Sequence, residues 1–327
     1  MDRSAKTSDQ YRRLSETLFT DVTSTVAQGK QRRQRHIMRT PVIFIGMHRS
    51  GTSMLGRLLE ELGMFFGTRK DENNEALFFQ ELNDWLLTQC GGRWDNPGPF
   101  KDFFWHSDEA VGWTETYLRN MLASPRAVQF LGARRLLAGG IVKLDEPWGW
   151  KDPRTTFTLG MWLKIFPDAK VVSIERNGVD VAQSLRTREI KILEDAQRYY
   201  QRYRALFFVR PRRAGFANSP RCLSLESAFS LWQEYTAAAD AAVAALPRER
   251  TLTLRYEEVL SDPVKWLTEV AAFCELNASS ARINETVTSI RADRAQAYES
   301  DAELKKFAAG HAEALAARGY SIPGASI

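Results

Sequence analysis

The chain has 327 residues, 44% of them hydrophobic, with a formal net charge of +5. That length suits one large α/β domain or a domain with an embedded insertion; no apolar run nears the roughly 18 residues of a membrane span, and the polar start MDRSAKTSDQ does not read as a secretory signal. Cys90, Cys222 and Cys274 lie far apart and outside any CxxC pair, which fits a reducing, cytoplasmic setting and argues against a zinc or disulfide framework.

Of 45 Lys/Arg and 40 Asp/Glu, residues 1–40 hold nine and four, leaving 36 of each in the remainder. The excess centres on Lys30, Arg32, Arg33 and Arg35. Residues 1–40 are therefore expected to form a basic arm, a solvated lead-in or a weak contact for an anionic surface. Tyr11, Leu14, Leu18 and Val22 give it one weak amphipathic pattern. Nothing in the remainder suggests a nucleic-acid partner.

The next stretch organises the rest. Val42-Ile43-Phe44-Ile45 predicts a buried parallel strand, and Met54, Leu55, Leu58, Leu59 and Leu62 recur at helical spacing. Between them, Gly46-x4-Gly51 has the spacing of a P-loop, whose glycines let backbone N–H groups wrap an anion at a helix N-terminus. After Gly51 comes Thr52, where a nucleotide triphosphatase carries the lysine that reaches the β- and γ-phosphates; the nearest cation is Arg49, inside the loop. The loop thus fits a 5′-phosphate that bears something other than a phosphate chain. His48 reads as a loop filler.

Gly63 to Gly67 reads as a short strand or turn, and Leu77, Phe78, Leu82, Trp85 and Leu86 predict a helix. Residues 90–108, rich in Gly, Pro and aromatics, read as a structured loop; with the following residues to about 145 they are expected to form an insertion beside the acceptor. Trp148-Gly-Trp-Lys151 joins a short strand to a helix carrying Phe157, Met161 and Ile165, with Asp152 as its cap and Pro153 as its first residue. Lys170 to Arg176 is a second strand, and Asn177-Gly-Val-Asp180 opens a helix through Val181 and Leu185. The basic residues 189–222, with Tyr199, Tyr200, Tyr203 and the cluster Arg210, Arg212 and Arg213, read as a second insertion with some helix, also expected to border the acceptor. A helix over 226–246, a strand over 251–256 and a helix from Pro263 follow. This alternation predicts one α/β domain over 41–327, a three-layer P-loop-like fold with a central parallel sheet and ligands at the carboxyl ends of its strands.

Arg176 ends a strand, and Ser184 lies eight residues on, about two turns into the next helix. A guanidinium and a hydroxyl so placed suit a second phosphate, although an ion-paired arginine and a plain helix-face serine are the alternatives. Together with the first loop they suggest a nucleotide phosphorylated at two places.

Gly46-x-x-Arg49-Ser50-Gly51-Thr52-Ser53, Lys151-Asp152-Pro153 and Arg176-Asn177-x-x-Asp180-x-x-x-Ser184, in that order, resemble the sulfotransferases that use 3′-phosphoadenosine 5′-phosphosulfate (PAPS). The form is closest to the Golgi tyrosylprotein and carbohydrate group and its bacterial relatives, over about residues 41–275. The resemblance implies that Arg49, Ser50, Gly51, Thr52 and Ser53 hold the 5′-phosphosulfate and that Arg49 stabilises charge on the bridging oxygen. It implies a 3′-phosphate site at Arg176 and Ser184, with Arg188 one turn further, and a weaker nucleotide contact at Tyr256. Lys151 resembles the lysine that faces the transferred sulfuryl group, although pairing with Asp152 or Glu175 is its alternative. PAPS would be the co-substrate, 3′-phosphoadenosine 5′-phosphate (PAP) the product, and no metal is implied.

The resemblance points to Glu75 as the base, against Asp71, Glu72, Glu81 and a histidine alternative, His106. A Gly-x-x-Gly-x-x-Lys near the C-terminus, typical of soluble small-molecule sulfotransferases, is absent. Nucleotide contacts there stay open, with Arg291 and Arg294 as candidates. The expected activity is sulfuryl transfer to a hydroxyl or amine, with a carbohydrate or glycolipid acceptor. A P-loop kinase or a nucleotide-binding scaffold without catalysis are the alternatives.

Overall fold

A computed structural model of the protein describes residues 39–212, 215–290 and 296–321. Most of the arm expected over 1–40, together with Arg213, Arg291 and Arg294, lies outside the described residues. Among these, a four-stranded, all-parallel sheet runs in the order β2-β1-β3-β4. Its strands are β1 (Val42–Gly46), β2 (Gly149–Lys151), β3 (Lys170–Glu175) and β4 (Thr251–Arg255). β1 is buried along its whole length, as a central parallel strand covered on both faces must be. The α/β class with a central parallel sheet is as the sequence predicts.

In chain order the helices used below are α1 (Thr52–Glu61), α2 (Leu77–Thr88), α3 (Gly98–Phe103), α4 (Asp108–Ala123), α5 (Val128–Leu137) and α6 (Thr155–Ile165). They continue with α7 (Gly178–Tyr203), α8 (Leu225–Ala244), α9 (Tyr256–Ser261), α10 (Pro263–Phe273) and α11 (Ser280–Val287). One apolar cluster joins the α1 stripe Leu55, Leu58, Leu59 and Leu62 to Phe44, Val172 and Leu267. A second, on the other face of the sheet, unites Ile43, Ile45 and Val171 with the aromatics of α2, α3, α5 and α6. No helix among the described residues is long and apolar enough to cross a membrane.

The second cluster fixes α2 against β2. Phe79 stacks on Trp150 with centroids 4.1 Å apart and planes 2° from parallel, and meets Phe130 and Trp162 edge-on. Each such pair adds about 0.5–1.5 kcal/mol beyond its buried area. Asn83, fully buried on α2, donates to Asp152 and Thr155 at 2.8 Å each and accepts from Thr158 and Trp162 at 2.7 Å each. All four hydrogen-bonding positions of one amide thereby tie α2 to the β2–α6 connection.

Several elements differ from expectation. Residues 90–108 are not simply a loop. They contain α3 and a 3-10 turn over Phe104–His106, because Phe100 and Phe104, four residues apart, stack 4.5 Å apart inside the core. α6 begins at Thr155 rather than Pro153; the Asp152 carboxylate accepts from the Arg154 N–H at 3.0 Å ahead of it. Residues 189–203 continue α7, which runs 26 residues without a break at the expected boundary. Buried Glu189 anchors the chain that follows, accepting from the Asn218 and Ser219 N–H groups at 3.1 and 2.9 Å.

Candidate active site

β1 delivers the chain to Gly46, whose φ of 133° and 2.3 Å approach of a notional Cβ to the Ile174 carbonyl leave room for glycine alone. The loop then turns to Gly51, the residue before α1, with φ 97° and no side chain satisfying the first N–H groups of the helix. Gly51, Thr52 and Ser53 line one cavity, which places the positive end of a ten-residue helix at its wall. A Cβ at Gly51 would stand 2.3 Å from the Tyr256 ring. Gly51→Ala is therefore expected to cost about 3 kcal/mol of stability through clash and left-handed strain, measured by urea unfolding. An unchanged unfolding midpoint would show that this packing is not tight.

The cavity, about 360 Å³, is lined by loop and α1 residues (His48, Arg49, Gly51, Thr52, Ser53, Arg57), by Asn73 and Glu75, and by Arg176, Ser184, Arg188 and Tyr256. Its volume falls in the range of small-ligand pockets. Arg49 takes the left-handed conformation, φ 70°, and its Nε donates to the Ser184 hydroxyl at 2.9 Å, so the β1–α1 loop and α7 meet directly. Arg176 reaches the Arg49 carbonyl at 3.4 Å, lies over the Tyr256 ring at 4.7 Å, and donates to Asp180 at 3.2 Å. The ion-pair alternative for Arg176 thus exists alongside its place in the cavity wall. Arg188 pairs with Glu189 at 2.9 Å and lies over Trp94 at 4.9 Å. Tyr256 opens α9 instead of ending β4. Ser50 sits below the lining, buried, with its hydroxyl donating to the Met47 carbonyl at 2.6 Å.

Glu75 is 3% exposed yet lines the cavity. It stands 3.2 Å from Lys151 and 3.2 Å from Arg154, and Gln80 donates to it at 3.1 Å. Burial raises its pKa, the Asp152 charge adds to that, and Lys151 and Arg154 oppose it. The loop is built around Asp71, whose carboxylate accepts from the Asn73 and Glu75 N–H groups at 2.9 and 2.8 Å. Asn74, next to Glu75, is left-handed at φ 63°. Left-handed residues other than glycine, each costing on the order of 1–3 kcal/mol, thus occur at Arg49 and beside Glu75.

The other candidate bases lie elsewhere. Asp71 is spent on its loop, Glu72 is exposed, and Glu81 pairs with Arg126 on the surface at 3.0 Å. His106 is exposed against Phe103 and absent from the cavity wall.

Lys151 is 1% exposed and does not line the cavity. Its ammonium donates to the Ser53 hydroxyl at 3.2 Å, the Asn73 carbonyl at 2.6 Å and Glu75 at 3.2 Å, which uses all three N–H groups. Neither Asp152 nor Glu175 is its partner; Glu175 pairs with Arg318.

Sequence reasoning missed five contributors. Arg154, 12% exposed, spans Glu75, Asp152 at 3.0 Å and Asp84 at 2.6 Å. Its position directly after Lys-Asp-Pro was visible, but a contact 79 residues away in sequence was not. Arg57 lies one helical turn after Ser53, a spacing that puts both on one face of α1 and was readable. Ser289 and Ile290, after α11, close the far wall without any local signature. His48, read as filler, also lines the wall. Its Nε2 is buried with no hydrogen-bond partner among the described residues, and burial followed by the charges of Arg154, Arg188, Lys151 and Arg49 keeps it neutral.

Four arginines, one helix N-terminus and one buried carboxylate therefore converge at the carboxyl ends of β1 and β3. Such an arrangement has the chemistry to neutralise a polyanion and to take up a proton beside it. Residues 41–280 match the sulfotransferase family. Among solved structures, a sulfotransferase from Mycobacterium tuberculosis H37Rv is similar at 16% identity, over 78% of this chain and 73% of its own, with a TM-score of 0.43. A sulfotransferase from Alicyclobacillus acidocaldarius is similar at 19% identity over 86% and 96%, TM-score 0.43. A sulfotransferase domain from the curacin biosynthetic pathway is similar at 13% identity over 87% and 100%, TM-score 0.47. No curated protein matches the chain in sequence. The family match spans most of the chain and begins at β1, so the protein belongs to the sulfotransferase family and is a sulfotransferase.

Proposed function

We propose that this cavity takes PAPS and that the enzyme passes its sulfuryl group to a hydroxyl or amine, with PAP as product. The observation that carries this reading is a P-loop turn without its triphosphatase lysine, facing four arginines and one buried carboxylate. The residues present fit the co-substrate. The N–H groups of the Gly51–Ser53 turn, with Thr52, Ser53 and Arg49, would hold the 5′-phosphosulfate; Arg176, Ser184 and Arg188 would hold the 3′-phosphate; Tyr256 would border the nucleoside. PAPS supplies an activated sulfuryl group with a phosphate leaving group.

Glu75 accepts the acceptor's proton as the acceptor oxygen or nitrogen bonds to sulfur. Arg49 stabilises the negative charge left on the bridging oxygen when its bond to sulfur breaks. Lys151, with every donor engaged, acts by holding Ser53 and Glu75 in place rather than by facing the sulfuryl group. Arg154 holds the other oxygen of Glu75 and lowers its pKa. Arg154→Gln is accordingly expected to move the acid limb of kcat/KM to higher pH, with roughly a tenfold loss on the acid side and smaller losses above it. A uniform loss at every pH would assign Arg154 to packing alone.

Free cysteines, two of them buried, support a cytoplasmic setting. A carbohydrate or glycolipid acceptor suits the cavity that Trp85, Phe103, Phe104, Trp113 and Tyr117 line between α2, α3 and α4. The test is transfer of labelled sulfate from PAPS to a panel of sugars, glycolipids, aryl alcohols and amines. Labelled sugar or glycolipid supports this acceptor class, whereas label on aryl alcohols alone refutes it.

A further inference from the structure

The carboxyl end of α7 carries a feature that lies outside the lining of the cavity. Leu206, Phe207, Phe208 and Val209 form an unbroken apolar run directly after the helix, between Arg204 and Arg210. Phe208 is 97% exposed, Val209 89% and Leu206 53%. Single exposed apolar side chains are ordinary, but an exposed run of this kind is a cost that a soluble surface normally avoids.

The run is held in a defined turn. The Phe207, Phe208, Val209 and Arg210 N–H groups donate to the Arg204, Ala205, Leu206 and Leu206 carbonyls at 3.1, 3.3, 3.2 and 3.0 Å. Phe207 is folded back onto α7, stacked on Tyr200 at 5.8 Å and near Tyr199 at 6.1 Å, and it carries the other three outward. Tyr199 and Tyr203, about half exposed, form the shoulder of the tip, and Arg212 lies over Phe216 at 4.6 Å beside it.

The charge around the tip has one sign. Between Asp195 and Glu226 the sequence contains no acidic residue, and Arg202, Arg204, Arg210 and Arg212 flank the apolar run. Apolar side chains at the apex with arginines and tyrosines behind them match the layering of a bilayer surface: hydrocarbon, then anionic headgroups, then water. An exposed valine and leucine offer little to a base or a sugar ring, which argues for lipid over nucleic acid or glycan. The tip lies about 18 residues along and beyond the helix from Arg188 in the cavity wall, roughly 27 Å at helical rise.

We propose that the Leu206–Val209 turn and its flanking arginines dock the enzyme on an anionic phospholipid bilayer. The full chain should cosediment with vesicles containing about 30% phosphatidylserine at least about fivefold more than with phosphatidylcholine vesicles, and added salt should weaken it. Phe208→Ser with Val209→Ser should lower that partition about tenfold. The exposed position of both residues leaves the melting temperature and PAP binding unchanged. An Arg32→Glu, Arg33→Glu variant should retain most of the partition. The proposal is overturned if neither vesicle is bound, or if the serine variant partitions like wild type while the arm variant does not. It is also overturned if wild type is a dimer that the serine variant dissociates, or if an oligonucleotide is bound where vesicles are not.

Discussion

Arg49→Ala is expected to lower kcat for sulfate transfer by about 10³-fold, on the scale seen when one charged donor is removed from a developing oxyanion. Arg49 is the cation of the β1–α1 loop, and its backbone accepts left-handed strain at φ 70° to sit there. Its Nε contact to Ser184 aims the guanidinium across the cavity, between the two places where the proposed nucleotide carries charge. Arg49→Lys keeps a charge but loses the planar fork, so a loss of about 10²-fold is expected for it. Both residues tolerate the same backbone, and unfolding stability should stay within about 1 kcal/mol of wild type. Steady-state kinetics at saturating acceptor check this; wild-type turnover by Arg49→Ala would remove the loop from the chemistry.

Glu75→Gln is expected to lower kcat by about 10³-fold, within the range for a general base. The sign of the pH effect follows from the site. As the proposed base Glu75 would work ionised, and its pKa is raised above the ordinary 4.5, first by burial and then by the charge of Asp152. Activity therefore falls as pH drops through that raised value, closer to neutrality than an ordinary glutamate would place it. The glutamine variant should lack this limb. It also leaves the Lys151 ammonium, 1% exposed, facing a neutral amide, which is expected to cost about 3 kcal/mol of stability. Turnover per folded molecule separates the two effects. Near-wild-type turnover with a retained acid limb would place the base elsewhere.

The parts of this site that were legible in the sequence are those made by neighbours in the chain. Strand, glycine turn and helix from Val42 to Leu62 announce themselves because the hydrophobic period changes from continuous to helical across eight loop residues. The Lys-Asp-Pro and Arg176–Ser184 segments were legible for the same reason, each lying on one strand–helix connection. What folding adds is the third dimension. Asn83 and Arg154 bind partners on elements remote in sequence, and nothing local distinguishes a buried asparagine from a surface one. Lys151 was recognisable, but not the saturation of its ammonium by Ser53, Asn73 and Glu75. The aromatic stretch 90–108 looked like a loop because Gly and Pro dominate its start, although Phe100 and Phe104 carry it into the core. α7 was cut short in the reading because its second half is rich in charge and buries no residue after Glu189, so no apolar stripe marks it as a helix packed on the core.

The central claim is that this cavity is built for a nucleotide with phosphates at two ends and not for a triphosphate chain. Its most direct measurement is the stabilisation of the wild-type enzyme by PAP against that by ATP with Mg²⁺, read from unfolding at ligand concentrations near 100 times the dissociation constant. PAP is predicted to add about 2.7 kcal/mol there, with the gain lost in Arg176→Ala, and ATP to add little. Stabilisation by ATP with Mg²⁺ and none by PAP would contradict the account.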